Sequence, residues 1–255
     1  MSRSPRVPRF GRRGRPRVLG ASVALLLPCG AFAGEALEVR PDRPVDCVVP
    51  GHLQVEAGVG LTLPEDRKVY DVGLLLRYGL AEVAELRLAA PGYALAEASA
   101  EGASSKGFGD LAVGTKLAPP DLGPVALSVV LMVSLPTGEA GQSSEGVDPS
   151  AGLNFELPLG ETFALSGGVA YGYGTEAEAG ELGASVGVGA PIGEAFGAYV
   201  EGALLRADGG DPAVGVGAGA TWQPSATWQI DLSFLTGVSG EGLDPTIGLG
   251  VATVL

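Results

Sequence analysis

Three charged side chains, Glu56, Arg77 and Arg87, carry the most specific chemistry that spacing alone suggests in this 255-residue chain. Each stands in a stretch where larger apolar residues alternate with small or polar ones, and each falls on the polar parity. If Leu63 pairs with Tyr70 across a first hairpin, Glu56 lies opposite Arg77, and a turn centred on Glu82 sets Arg77 opposite Arg87. Two arginines facing each other across a ladder repel, so Glu56 or a bound anionic group must offset them. Such a group either braces a wall by ion pairing or screens solutes, as rings of charge do in pores. Asp71, Glu85, Lys116, Glu156, Glu201 and Asp231 share its parity and extend a sparse charged face over further strands.

Covalent and metal chemistry has less to stand on. His52 is the only histidine, and it shares a face with Gln54 and Glu56 without a nucleophile elbow or other organised serine motif to serve. A structural histidine is expected, and no enzyme. One histidine with one exported cysteine cannot build a zinc site without carboxylates, so neither metal nor cofactor is expected. Gly-x-Gly pairs recur, as in Gly187-Val188-Gly189, but the longer dinucleotide fingerprint and the Walker sequence are missing. The loop acids Glu139, Glu145, Asp148, Glu176, Glu178, Asp208 and Asp211 either gather divalent cations that bridge lipopolysaccharide or simply keep the loops solvated.

The elements that must position these charges are strands. Val55, Ala57, Val59, Leu61 and Leu63 alternate with Gln54, Glu56, Gly58, Gly60 and Thr62, long enough to cross a bilayer when tilted. The same period returns in Tyr70 to Tyr78, Leu86 to Leu88, Leu111 to Leu117, Val125 to Leu135, Ala151 to Leu159 and Phe163 to Tyr173. It continues in Leu182 to Ala190, Phe196 to Leu204, Val214 to Trp222, Trp228 to Val238 and Ile247 to Leu255, which makes twelve strands in all. No window carries a 3.6-residue apolar stripe. Long or acidic connections, such as Pro91 to Lys106 and Pro136 to Pro149, alternate with short ones such as Gly160-Glu161 and Gln223 to Ala226. An even number of strands with long loops at one end and short turns at the other is the outer-membrane arrangement. The fold class is therefore all-β, an antiparallel transmembrane β-barrel of about 12 strands over residues 51–255. Trp222, Trp228, Tyr171 and Tyr173 suit its two membrane interfaces.

The N-terminus reads as an export signal. Seven arginines lie between Arg3 and Arg17, no acid appears before Glu35, and an apolar run from Val18 to Leu27 precedes Ala31-Phe32-Ala33. Cleavage is expected after Ala33, which makes residues 1–33 a signal peptide. A lipoprotein reading of Cys29 suffers from Pro28, a twin-arginine reading of Arg12-Arg13 lacks the fuller motif, and the apolar run is too short to span a membrane as a helix. Residues 34–50, rich in proline and charge, form an N-terminal arm or a plug, and Cys47 within it is expected to react readily with a polar thiol reagent. The chain from Gly34 holds 9 basic and 29 acidic residues, a net charge of 9 − 29 = −20, which excludes nucleic acid as a natural partner. Only Cys47 survives cleavage, so no intrachain disulfide braces the exported fold.

Several phrases also carry a resemblance. Val49-Pro50-Gly51-His52-Leu53-Gln54-Val55-Glu56, Leu76-Arg77-Tyr78-Gly79-Leu80 before Glu85-Leu86-Arg87-Leu88, Gly107-Phe108-Gly109-Asp110-Leu111 and Leu135-Pro136-Thr137-Gly138 together resemble the outer-membrane family called putative MetA-pathway of phenol degradation proteins. The resemblance implies an outer-membrane barrel of transporter type with a thin link to hydrophobic or aromatic compounds. The chain departs from the usual aromatic last residue of such barrels by ending in Leu255. The resulting expectation is a channel in the bacterial outer membrane, surrounded by lipid and lipopolysaccharide and passing small solutes. The alternative is a non-transporting barrel whose acidic loops work as a structural or interaction surface.

Overall fold

A computed structural model describes residues 45–65, 67–98, 105–120 and 123–255, so the expected signal peptide and the first residues of the arm lie outside it. Strands β1 (Leu53–Thr62), β2 (Arg67–Ala81), β3 (Ala84–Pro91), β4 (Tyr93–Ala98), β5 (Ser105–Phe108), β6 (Leu111–Leu117) and β7 (Ala126–Leu135) come first. They are followed by β8 (Asp148–Leu159), β9 (Phe163–Gly174), β10 (Ala179–Ile192), β11 (Phe196–Ala207), β12 (Ala213–Ser225), β13 (Trp228–Ser239) and β14 (Thr246–Val254). All neighbours are antiparallel, and β1 pairs with both β2 and β14, which closes the sheet and removes its edges. The wall consists of the twelve expected strands.

The remaining two, β4 and β5, correct the reading of Pro91 to Lys106 as a plain loop. β2 has 15 residues and β3 only 8, so the outer part of β2 would lack a partner. β4 supplies it by pairing Arg67 to Tyr70 with Ala98 to Leu95, and β5 folds back on β4. Tyr93 and Phe108 meet edge to face at 5.6 Å across this hairpin.

Register follows the alternation, with one shift. Arg77 does stand opposite Arg87. The first hairpin pairs Leu61, not Leu63, with Tyr70, so Gln54 rather than Glu56 lies opposite Arg77. A slip of two residues keeps every side chain on its expected face, whereas a slip of one would have inverted the strand.

Polarity is arranged for lipid outside and charge inside. Val72, Leu74, Leu86, Leu131, Val186, Val200, Leu232 and Phe234 are exposed on the outer surface, while Gln54, Glu56, Arg77, Glu85 and Lys116 are buried within the wall's interior. Trp222 and Trp228 are exposed at the short-turn end, where Trp222 stacks on Phe196 at 6.3 Å, and Tyr171 and Tyr173 are exposed toward the long loops. The two aromatic levels bracket the apolar band as interfacial girdles do. No described helix is long and apolar enough to cross a membrane, and this barrel crosses with strands.

Three aspartates fasten the long-loop end. Asp110 accepts hydrogen bonds from the Gly138 and Ser144 backbone N–H groups, each at 2.8 Å, and from the Ser144 hydroxyl at 3.0 Å. Asp148 accepts from the Thr175 N–H at 2.8 Å and its hydroxyl at 3.1 Å, and Asp208 accepts from the Gly180 N–H at 2.9 Å and the Tyr171 hydroxyl at 3.0 Å. Two of the acids expected to be solvated or cation-binding, Asp148 and Asp208, are thus hydrogen-bonded clasps of the loops.

Candidate functional site in the lumen

The inward charges gather near the short-turn end on β1, β2, β3 and β6. Arg77 is the hub, 1% exposed. Its Nε donates to Glu85 Oε1 at 2.7 Å and its Nη2 to Glu85 Oε2 at 2.8 Å, a two-pronged contact that a guanidinium makes with a carboxylate by shape. Its Nη1 donates to Glu56 Oε1 at 3.1 Å, and Gln54 Nε2 donates to the same oxygen at 2.7 Å. Arg87 Nε lies 3.6 Å from Glu85 Oε1. Glu85, fully buried, therefore sits between the two opposed arginines and offsets both.

This answers the electrostatic question differently from the expectation. Glu56 does pair with Arg77, but as a diagonal neighbour rather than the residue opposite. Glu85 takes the larger part through its two-pronged contact with Arg77, while the space beside Gly79, its partner across the ladder, is taken by the backbone of Val48 and Val49. The parity of Glu85 was visible in sequence, whereas the direction of its side chain was not.

The described end of the arm enters the barrel and joins this group. Val45, Cys47 and Val48 are 1–3% exposed. Lys116 Nζ donates to the Asp46 carbonyl at 2.9 Å, and Arg77 Nη2 reaches the same oxygen at 3.4 Å. The Val48 N–H donates to Glu85 Oε2 at 2.8 Å, and the Cys47 thiol points to the Lys116 carbonyl at 3.7 Å. Gly51 N–H donates to the Gly79 carbonyl at 2.9 Å and Gly79 N–H to the His52 carbonyl at 3.1 Å, which seats the segment on β2. The expected accessibility of Cys47 is thereby corrected, because the main chain on either side of it satisfies lumen charges. His52 is exposed at the rim with Nδ1 3.3 Å from the Pro50 carbonyl, a structural contact.

The other inward candidates stand apart. Asp71 lies farther along β2 against Gly60, whose missing side chain leaves it room. Glu156, Glu201 and Asp231 are buried on β8, β11 and β13. An apolar layer of Leu75, Ala89, Ala112, Val130, Met132 and Ala170 lies directly beyond the charged group toward the long loops. Small residues with sparse charges were expected to dominate the inward face, and Leu75, Val130 and Met132 add a local apolar patch to it. Gly183 to Gly187 on β10 spells Gly-x-Ser-x-Gly around Ser185, but it runs through mid-strand rather than a strand-to-helix turn, so no elbow is formed. Among the described residues no group of His, Cys, Asp and Glu is placed to hold a metal ion.

The barrel is similar to solved outer-membrane structures. It aligns with the COG4313 outer membrane channel from Pseudomonas putida F1 at a TM-score of 0.67 and 14% identity, covering 86% of this chain and 100% of that one. The KdgM porin in complex with disordered oligogalacturonate aligns at 0.56 and 6% identity, covering 79% and 98%, and the NanC porin at 0.55 and 9%, covering 79% and 98%. At such identities the likeness is one of fold. No curated protein matches the sequence. A family model described as "Putative MetA-pathway of phenol degradation" matches residues 40–253.

Proposed function

Because the chain belongs to the family described as putative MetA-pathway of phenol degradation, we propose that this barrel of the bacterial outer membrane is a channel for small solutes, among them hydrophobic or aromatic compounds. The single observation that carries the reading is the inverted polarity of a closed twelve-strand wall, apolar where lipid would lie and charged within. Twelve strands enclose more than their inward side chains need when many of those are glycine or alanine. Lipid and lipopolysaccharide are then the surroundings of the outer face, and the solute meets the inner one.

Within this reading Glu56, Arg77 and Arg87, together with Glu85 and Lys116, form the polar constriction. Replacing both arginines by alanine leaves Glu56 and Glu85 with Lys116 as the remaining cation of the group, and ion selectivity shifts toward cations. The experiment is conductance of the refolded barrel in a planar bilayer, followed by reversal potentials in a salt gradient for the wild type and for Arg77→Ala/Arg87→Ala. Discrete conductance that becomes more cation-selective in the variant supports the reading. A barrel that is correctly folded by its heat-dependent gel migration yet never conducts sinks it and leaves the non-transporting alternative.

A further inference from the structure

The arm fills its place in the lumen through main-chain atoms that imitate a ligand. Two cationic donors, Lys116 Nζ and Arg77 Nη2, converge on one oxygen, the Asp46 carbonyl, at 2.9 and 3.4 Å. Two residues further on, the Val48 N–H is held by Glu85. Donor pairs of this kind suit a carboxylate oxygen better than a neutral carbonyl, since charge-assisted hydrogen bonds are about twice as strong. The wall itself contributes Arg77, Arg87 and Lys116 against Glu56 and Glu85, so these five groups sum to 3 − 2 = +1, a balance that favours an anionic oxygen at this place.

The next layer defines what else a ligand would need. Lys116 is paired across the ladder with Val130, and Gly114 with Met132, while Leu75 and Ala89 follow Arg77 and Arg87 by one step on the same face. All four apolar side chains are buried and belong to one cluster. A ligand that placed an anionic oxygen at the Asp46 carbonyl position would lay its body against this patch.

We propose that the Asp46 carbonyl is an internal stand-in for the carboxylate of a small organic monoanion, and that such a solute displaces the arm by competing for Lys116 and Arg77. The inference rests on the channel reading for its purpose, though not for its test. A solute with apolar bulk binds better than one without it, because only the former covers Leu75, Val130 and Met132. Displacement is a shift between two states of the arm and goes only as far as the ligand's preference for the open one.

Cys47 reports the arm's position, since it is the one cysteine in the chain after Ala33 and is 2% exposed with the arm seated. In the refolded chain carrying residues 34–255, the rate of Cys47 modification by a charged thiol reagent is followed with benzoate, acetate or equal chloride added. Benzoate is expected to raise the rate by at least about tenfold, acetate less, and chloride not at all. Lys116→Gln should raise the basal rate and abolish the benzoate dependence, and Lys116→Arg should restore it. An unchanged or lowered rate with benzoate overturns the proposal, as does a benzoate effect that persists in Lys116→Gln. Should Lys116→Gln fail to fold by heat-dependent gel migration, the wild type is compared with benzoate and its neutral methyl ester, and an ester effect equal to that of benzoate overturns the proposal. Bilayer conductance of the same preparation separates the two ideas: a benzoate response without conductance ends the channel reading and leaves the site standing, and conductance without a response does the reverse.

Discussion

Glu85 reaches Arg77 with both carboxylate oxygens, at 2.7 and 2.8 Å, although the residue directly opposite Arg77 is Arg87. The diagonal contact turns a repulsive pair into a shared one. Removing one partner of a buried ion pair leaves an uncompensated charge and costs about 3–5 kcal/mol. Glu85→Gln should therefore lower the temperature at which the detergent-solubilised barrel loses its fast-migrating form. Arg87→Gln added to Glu85→Gln should recover part of that loss, because Arg77 keeps Glu56 and no longer faces an uncompensated arginine. A double variant less stable than Glu85→Gln alone would show that Arg87 is held by something other than this group.

The two faces of β7 differ in what an introduced charge meets. Leu131, 44% exposed, points to lipid, and Leu131→Arg should cost about 2–4 kcal/mol near the bilayer midplane. Ser128 points inward, but it is fully buried and its hydroxyl accepts from Asn154 Nδ2 at 3.4 Å. Ser128→Arg is consequently not a free substitution into open lumen, and overpacking adds about 1–3 kcal/mol. Folding titrations in lipid vesicles compare the two, and the diagnostic is lipid thickness: the cost at Leu131 should change with it while the cost at Ser128 should not.

These positions show what alternation reveals and where it stops. Parity alone gives the face of every charged candidate, since the side-chain period is two and the wall has only two sides. It also gives the Arg77 and Arg87 pairing, because the turn at Glu82 is tight. The β1 and β2 register is off by two residues because the connection between them is longer than a tight turn, and no side-chain pattern counts its residues. The β4 and β5 hairpin escapes because its alternation is brief and flanked by glycine and serine. An arm or plug over residues 34–50 was expected, but the contacts that seat its described end escape, since they are made by main-chain atoms of Asp46 and Val48, which every residue type carries.

Asp110 should give the long-loop end a dependence on acidity. Burial opposes its ionisation, but hydrogen bonds from the Ser144 and Gly138 N–H groups and from the serine hydroxyls outweigh it and hold its carboxyl below the ordinary aspartate range. A folded-state value below the unfolded one means that the stabilisation is complete above the ordinary aspartate pKa of about 3.9 and is lost as pH falls through the depressed value. Protease cleavage in the 136–147 connection should stay slow from neutral pH down to about 5 and quicken only below the ordinary aspartate range. Asp110→Asn should cleave quickly at neutral pH and lose the acid step. A step near neutrality would assign the dependence to another group.

Gly79 tests the arm without touching a charge. Its carbonyl accepts from Gly51, its N–H donates to His52, and Pro50 bridges it in parallel, so the arm's backbone lies flat on β2 at this residue. A Cβ added here would collide with the carbonyl oxygens of Val48 and Val49, and those are backbone atoms that cannot swing aside. The wall can accept an alanine in an extended strand, so the strain falls on the arm's seat rather than on the barrel. Strain of about 1–3 kcal/mol moves the arm toward its displaced state by roughly 5–150-fold. Gly79→Ala should therefore raise Cys47 modification by a factor in that range and increase basal conductance, with heat-dependent gel migration unchanged because the ladder between β2 and β3 remains. Raised thiol reactivity without raised conductance would mean that the arm leaves its seat but is not what closes the lumen, and unaltered reactivity would mean that the arm is not displaced from Gly79.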